Sequence, residues 1–272
     1  MTRKHILAFA GWLLCSCLLI VGCSQANTPN SAVVNTSPTA QTTSLTISAA
    51  ASLKDSLEAI KPIYTQAKPN INLVYNFGSS GALQQQIEQG AKVDVFISAA
   101  TKQMDALDKK GLLVDDTRKN LLTNQMVLIA PQNSSAVTDI KDLTSPRVKR
   151  IAIGEPKSVP AGQYAQQILT SLKITDQIKP KVVYAKDVRQ ALNYVESGNA
   201  EAGLVYLSDA KSSSKVKVVT TAPANTHSPI VYPIAVLKSS KNVDYAKEFE
   251  QFLSTNDAKN IFEKQGFTVS RS

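Results

Sequence analysis

Segments typical of strands and segments typical of helices alternate along most of this chain. Residues 45–48 alternate between apolar and polar side chains, as a half-buried strand does. Leu57, Ile60 and Tyr64 then follow at the spacing of one helix face. The same succession continues up to a terminal helix pattern after Asp244. Because strands separated by helices form parallel sheets, the sequence predicts an α/β fold.

The junctions between these segments have a common character. A strand pattern ends in small or hydroxyl-bearing residues, and a helix pattern starts at once. Such junctions lie at residues 50–52, 78–81, 160–162 and 187–188. Each places free backbone N–H groups at the positive end of a helix dipole, where an anion can bind without a cation. Ligands of α/β proteins bind beyond the carboxyl ends of strands, so these junctions are candidate binding sites.

Each junction also has a purely structural explanation. Ser52 opens an S-x-x-D pattern, which predicts an N-cap, although a capping hydroxyl can also face an oxyanion. The two glycines at 78 and 81 predict a flexible backbone that turns N–H groups inward. Tyr206 ends a strand pattern and is either a core residue or a neutral donor. We expect Asp55 and Asp187 to bond to backbone N–H groups or to Arg189 rather than to face an anion.

The N-terminal residues are typical of an exported lipoprotein. A basic start is followed by an apolar stretch over residues 6–21, which is short for a membrane span. The sequence Ile-Val-Gly-Cys at 20–23 resembles a bacterial lipobox, which predicts a lipoprotein signal peptide over 1–22 and a lipid on Cys23. An ordinary signal peptide or an N-terminal anchor helix is the alternative. Residues 23–44 are uncharged and lack periodicity, so we expect a flexible, lipid-anchored tether.

Several classes of chemistry have little support in the sequence. All three cysteines lie at or before position 23, which excludes disulfides and cysteine–metal ligation from the body of the chain. The only histidines are His5 and His227, and no pattern of metal ligands or Gly-x-Ser-x-Gly elbow is present, so we expect neither a direct protein–metal site nor an enzyme. The formal net charge is +9, but the lysines are scattered, which argues against nucleic-acid binding.

Two long apolar strand patterns suggest how the chain is divided. They lie near residues 126–130 and 232–237, and each adjoins a polar, turn-rich stretch. If the chain crosses between lobes at both, residues 45–125 and 233–272 form lobe one. Residues 126–232 then form lobe two as an insertion.

The chain also resembles a known family. The residues that carry the resemblance are Ala-Ala-Ala-Ser-Leu at 49–53, Phe-Gly-Ser-Ser-Gly-Ala-Leu at 77–83, residues 90–99, residues 154–165, Asp-Val-Arg-Gln-Ala-Leu at 187–192, residues 203–210 and Tyr-Pro-Ile-Ala at 232–235. Together they span nearly all of residues 45–270 in order. In these motifs the chain resembles the substrate-binding proteins of bacterial molybdate ABC transporters.

The resemblance implies a fold and a binding site. The fold would be the two-lobed, periplasmic binding protein type II-like α/β fold, with a ligand cleft between the lobes. Neutral hydrogen bonds would hold an oxyanion there, from the residues that match the family's motifs: the hydroxyls of Ser52, Ser80 and Tyr206, and the N–H groups of Ala161 and Val188. The chain departs from the family at Gly81, where a third serine is common.

The resemblance also implies a function. We expect high-affinity, extracytoplasmic binding of molybdate and of tungstate, without a cofactor, and delivery to an ABC permease. The protein would be a monomer that is anchored to the membrane through its lipid. A receptor for sulfate or phosphate on the same scaffold is the alternative, and an enzyme or an adhesion lipoprotein are further hypotheses from other classes.

Overall fold

The computed structural model describes residues 42–270 of the 272-residue chain. The predicted signal peptide, the lipidation site at Cys23 and nearly all of the predicted tether lie outside these residues. The first strand begins at Thr43, two residues before the predicted start of the folded part. Within residues 42–270, no helix has both the length and the apolar character needed to cross a membrane.

The first sheet has six strands and mixed direction. Its strands are β1 (Thr43–Ala50), β2 (Ile71–Gly78), β3 (Val95–Ile97), β4 (Lys119–Thr123), β10 (Val231–Val236) and β11 (Thr268–Val269). Their spatial order is β11-β4-β10-β3-β1-β2. β1 runs parallel to β2 and β3, whereas β10 runs antiparallel to β3 and β4. The strands β4 and β11 carry no clear alternation, and the sequence did not predict them.

The helices that accompany this sheet follow its strands in the chain. They are α1 (Lys54–Ala67), α2 (Ser80–Glu88), α3 (Thr101–Lys109), α8 (Val243–Phe252) and α9 (Asn256–Lys264). The C-terminal part of α1 is fixed by aromatic contacts, because the buried ring of Tyr64 packs edge-on against Phe249 and Phe252. Gly90 follows α2 with a φ of 90°, the left-handed conformation that glycine commonly adopts just after a helix.

The second sheet has five strands in the order β7-β6-β8-β5-β9. These strands are β5 (Met126–Pro131), β6 (Ile151–Gly154), β7 (Val182–Ala185), β8 (Ala202–Tyr206) and β9 (Val216–Thr221). The accompanying helices are α4 (Pro160–Ser171), α5 (Thr175–Ile178), α6 (Val188–Glu196) and α7 (Leu207–Lys211). Short 3-10 helices lie at Ala51–Leu53, Ile140–Thr144, Lys179–Lys181 and Ala224–Thr226.

The chain passes between the two sheets twice. It leaves the first sheet after β4, and only Asn124 and Gln125 separate β4 from β5 in the second sheet. It returns through β10, which begins at Val231. We call the part built on the first sheet lobe one and the part built on the second sheet lobe two. The prediction of a two-lobed α/β fold is thereby confirmed, while the boundaries at residues 125 and 233 stay a prediction.

Candidate functional site

The register of the strands brings the four predicted junctions together in pairs. In lobe one, Ala50 at the end of β1 pairs with Gly78 at the end of β2, so the 3-10 helix and α2 start side by side. In lobe two, Gly154 at the end of β6 pairs with Ala185 at the end of β7. The starts of α4 and α6 follow these two strand ends in the chain.

The two pairs of junctions line one small cavity. Its walls are formed by Ala50, Ala51, Ser52, Gly78, Ser79, Ser80, Ala99, Val159, Pro160, Ala161, Val188 and Tyr206. The space between the walls measures about 200 Å³. All five residues that the sequence singled out are among these twelve, and none of the twelve is charged. The cavity therefore has the size and neutrality of a site for one small ligand.

Ser52 occupies a different local structure from the one predicted. It lies inside the 3-10 helix Ala51–Leu53, and neither that helix nor α1 has a side-chain cap. The predicted N-cap at Ser52 is therefore wrong. The Oγ of Ser52 is 2.9 Å from the hydroxyl of Tyr232, a buried residue of β10 that is 180 positions away. The two hydroxyls are within hydrogen-bond distance, and either can be the donor.

Ser80 is the first residue of α2, and its neighbour Ser79 is the N-cap that accepts a hydrogen bond from the N–H of Ala82. The Oγ of Ser80 accepts a hydrogen bond from the backbone N–H of Ala99 at 2.9 Å. A hydroxyl that accepts one bond still has its own proton to donate. Ser80 is buried in the cavity wall, so that proton is available to a ligand.

Lobe two contributes backbone N–H groups. Pro160 is the first residue of α4, as predicted, and Ala161 follows it. Val188 is the first residue of α6, and the carboxylate of Asp187 accepts a 2.8 Å hydrogen bond from the N–H of Gln190 as the predicted cap. N–H groups in the first turn of a helix have no carbonyl partner within that helix. The backbone N–H groups of Ala161 and Val188 are therefore free donors, and each lies at the positive end of a helix dipole.

Tyr206 ends β8 and is 1% exposed. Its hydroxyl has no hydrogen-bond partner among the described residues. Burial raises the pKa of Tyr206 well above its ordinary value, so the hydroxyl keeps its proton near neutral pH. A buried donor without a partner costs about 1–3 kcal/mol, and a ligand in the cavity would remove that cost.

The lobes come into contact beside the cavity. The N–H of Gly81 in α2 donates to the carbonyl of Ser158 in lobe two at 3.0 Å. A Cβ atom at Gly81 would lie 2.5 Å from that oxygen, which real contacts do not allow. Neither Gly78 nor Gly81 has a positive φ. Gly81 is needed because the backbone of the other lobe approaches so closely.

Arg189 joins the lobes on another side. Its Nε lies 2.7 Å from the buried carboxylate of Asp209, and one Nη lies 2.5 Å from Asp55 in lobe one. The same Nη donates to the carbonyl of Ser52 at 3.4 Å. The expected pairing of Asp55 with Arg189 is confirmed. Arg189 does not line the cavity, so its charge acts at the contact between the lobes.

The pKa values of this cluster follow from burial and charge. Burial raises the pKa of Asp209 to about 6, although Arg189 opposes the rise. Burial lowers the pKa of Arg189, but the negative charges of Asp209 and Asp55 outweigh this effect and raise that pKa overall. The guanidinium therefore remains charged and pairs with carboxylates of both lobes.

Within residues 42–270, no cluster of three or more His, Cys, Asp or Glu residues could hold a metal ion. The sequence did not indicate a role for Tyr232, whose hydroxyl contacts Ser52, or for Asn124, whose amide contacts the hydroxyl of Tyr232. Their local patterns, an apolar strand and a polar turn, give no signal of that role.

Comparison with known proteins identifies the family. Residues 45–268 match the model of the bacterial extracellular solute-binding protein family. YvgL of Bacillus subtilis (strain 168), whose name describes an ABC transporter substrate-binding lipoprotein, is 44% identical over 99% of this chain and 100% of its own. The molybdate-binding protein ModA of Haemophilus influenzae is 38% identical over 83% of this chain and 90% of its own.

A solved structure agrees with these relatives. The substrate-binding domain of a molybdenum ABC transporter from Clostridium difficile is 51% identical, with a TM-score of 0.66. The match covers 84% of this chain and 99% of that domain. The matched family is one of solute-binding proteins and not of enzymes, as the sequence predicted. This chain belongs to the family of bacterial extracellular solute-binding proteins.

Proposed function

We propose that this protein binds molybdate outside the cytoplasm and delivers it to the permease of an ABC transporter. Tungstate, which has the same shape and charge, would bind at the same site. The relatives support this proposal, since one is named a molybdate-binding protein and a similar solved domain comes from a molybdenum transporter. No cofactor is required, because the anion is the ligand.

The observation that carries the proposal is the buried, unpartnered hydroxyl of Tyr206 in a cavity without charged walls. We assign five donors to the anion. The hydroxyls of Ser52, Ser80 and Tyr206 and the N–H groups of Ala161 and Val188 would each donate a hydrogen bond to one of its oxygens. Hydrogen bonds to an ionised acceptor are about twice as strong as neutral ones. Neutral donors also avoid burying a fixed cation when no ligand is bound.

The placement of the five assigned groups favours some oxyanions over others. Phosphate near neutral pH carries a proton that needs an acceptor, whereas all five assigned groups are placed as donors. Sulfate carries no proton, but it is smaller, and a smaller anion leaves some buried donors without a partner. Each such donor costs about 1–3 kcal/mol. The alternative of a sulfate or phosphate receptor is therefore less well supported.

We further propose that a lipid on Cys23 holds the protein, as a monomer, at the outer face of the cell membrane, with residues 23–44 as the tether. The support comes from the sequence at 20–23 and from the lipoprotein relative, which aligns over 99% of this chain. Replacing Cys23 by Ala should abolish incorporation of a labelled fatty acid and release the protein from membranes. Retention of the label in this variant would contradict the proposal for the anchor.

Isothermal titration calorimetry tests the proposed ligand. We expect the full-length protein to bind one molybdate or one tungstate tightly, sulfate much more weakly and phosphate not at all. The variant Tyr206→Phe, which keeps the ring, should lose affinity for molybdate by about 1.5–3 kcal/mol, the range for a hydrogen bond to a charged group. Equal affinities for sulfate and molybdate, or no molybdate binding, would contradict the proposed function.

A further inference from the structure

A buried series of hydrogen bonds leads from Ser52 to Tyr232 and on to Asn124. Neither Tyr232 nor Asn124 is among the donors assigned to the anion. We infer that they are positioning residues, which orient the hydroxyl of Ser52 so that its proton faces the bound anion. This inference rests on the proposed function of the cavity. Neither residue lines the cavity, so an effect on binding must pass through a cavity residue that Tyr232 contacts, Ser52 or Tyr206.

The hydrogen bonds form a continuous series from Ser52 to Ser208. The hydroxyl of Tyr232 is 2.9 Å from the Oγ of Ser52, and the Nδ2 of Asn124 is 3.3 Å from the same phenol oxygen. Nδ2 also donates to the Oγ of Ser208 in α7 at 2.9 Å. Ser52, Ser208 and Tyr232 are each 2% exposed or less. Water therefore does not compete for these bonds.

The amide of Asn124 is a fixed donor at one end of this network. The Oδ1 of Asn124 accepts the N–H of Gln125 at 2.8 Å, so its amide nitrogen faces Ser208 and Tyr232. Either hydroxyl of the Ser52–Tyr232 pair can be the donor. In the inferred arrangement the phenol of Tyr232, which accepts from Asn124, gives its single proton to Ser52. The Oγ of Ser52 then accepts from Tyr232. Its own proton is left for the cavity.

This series of hydrogen bonds lies where the polypeptide passes between the lobes. Asn124 lies in the short connection from β4 to β5, and Tyr232 lies in β10, so both occupy the segments through which the chain passes between the lobes. Ser208 ties the network to lobe two. The ring of Tyr232 packs edge-on against Tyr206 and Phe267, with centroid distances of 5.7 and 5.4 Å. A phenylalanine at position 232 retains this packing and removes only the hydroxyl.

A double-mutant cycle in the full-length protein tests the inference, with molybdate affinity as the measurement. We expect Tyr232→Phe to weaken binding about tenfold, because the proton of Ser52 is no longer directed into the cavity. In the Ser52→Ala background the same substitution should have little further effect, since Tyr232 acts through Ser52. The control is Tyr64→Phe, which removes the hydroxyl of another fully buried tyrosine far along α1 and should leave affinity unchanged.

The outcomes separate this inference from the proposed function. If the wild type binds no molybdate, both are overturned. If the wild type binds but Tyr232→Phe has unchanged affinity, or its effect adds fully to that of Ser52→Ala, only the inference fails. Thermal unfolding without ligand shows whether each variant is folded. Should Tyr232→Phe fail to fold, Asn124→Ala takes its place in the cycle, with the same non-additive loss expected and full additivity overturning the inference.

Discussion

The two lobes supply different kinds of donor to the same cavity. Lobe one offers the side-chain hydroxyls of Ser52 and Ser80, whereas lobe two offers the backbone N–H groups of Ala161 and Val188 together with one phenol. A backbone N–H is aimed by its helix and needs no further support. A serine hydroxyl rotates, and in lobe one each serine is bonded to a neighbouring group, Ser52 to Tyr232 and Ser80 to the N–H of Ala99.

This difference shows what each half of the site requires from the rest of the protein. The two N–H groups of lobe two need only the correct start of their helices, which local residues determine. Lobe one needs contacts from distant parts of the chain to direct its protons. Substitutions should therefore affect the two halves in different ways, and four experiments test the difference.

The largest effect is expected from removing an N–H group of lobe two. In Val188→Pro the proline stands at the first position of α6, where it suits the helix, and the extended conformation of Asp187 is compatible with it. The donor disappears and the ring crowds the anion, so we expect a loss of about 3 kcal/mol in molybdate affinity. Val188→Ala keeps the N–H and should bind almost as the wild type does. Equal affinities of the two variants would remove this N–H from the site.

Removing a hydroxyl of lobe one should have a somewhat smaller effect. We expect Ser80→Ala to weaken molybdate binding by about 2 kcal/mol, measured by calorimetry, since one charge-assisted hydrogen bond is lost. Ser98→Ala is the matched control, because Ser98 is equally buried but bonds to the backbone of Ala100 outside the cavity. It should reduce stability and leave affinity intact. Unchanged affinity in Ser80→Ala would exclude Ser80 from the site.

A smaller effect should come from the contact between the lobes. A methyl group at Gly81 would meet the carbonyl of Ser158, so Gly81→Ala should hinder close approach and weaken binding by about 1 kcal/mol, at the low end for overpacking. Thermal unfolding of the ligand-free variant should show no loss of stability if the lobes separate without ligand. A destabilised ligand-free variant with normal affinity would show that the contact does not depend on ligand.

The smallest effect is expected from the ion pair between the lobes. Asp55 is 42% exposed, so solvent screens its attraction to Arg189. Asp55→Asn should reduce molybdate affinity by about 0.2–1 kcal/mol, and the reduction should shrink as salt is added. Asp108→Asn is the control, since Asp108 pairs with Arg118 within lobe one. An equal effect of both substitutions would mean that the pair across the lobes has no special role.

The same contrast explains how much of the molecule could be predicted from its sequence. The strand–helix alternation, the first turns at Pro160 and Val188 and the cap at Asp187 depend on neighbouring residues, and the structure confirms them. Family motifs identified the five cavity residues, which the structure brings together. The role of those residues in binding an anion stays a proposal.

The features that were not predictable depend on contacts over long distances in the chain. Ser52 was expected to cap a helix, but its hydroxyl bonds to Tyr232, which is 180 positions away. Gly81 was expected to provide flexibility, but its lack of a side chain accommodates the backbone of Ser158 in the other lobe. Neither contact leaves a pattern in the residues on either side. Only the packing of the two lobes brings these groups together.

The most direct test of a site shared between the lobes is a crystal structure of the protein with tungstate, whose metal is located by its anomalous scattering. We predict a single strong peak in the cavity, with anion oxygens within hydrogen-bond distance of the hydroxyls of Ser52, Ser80 and Tyr206 and of the N–H groups of Ala161 and Val188. A peak on the lysine-bearing surface, or an anion held by one lobe alone, would contradict this account.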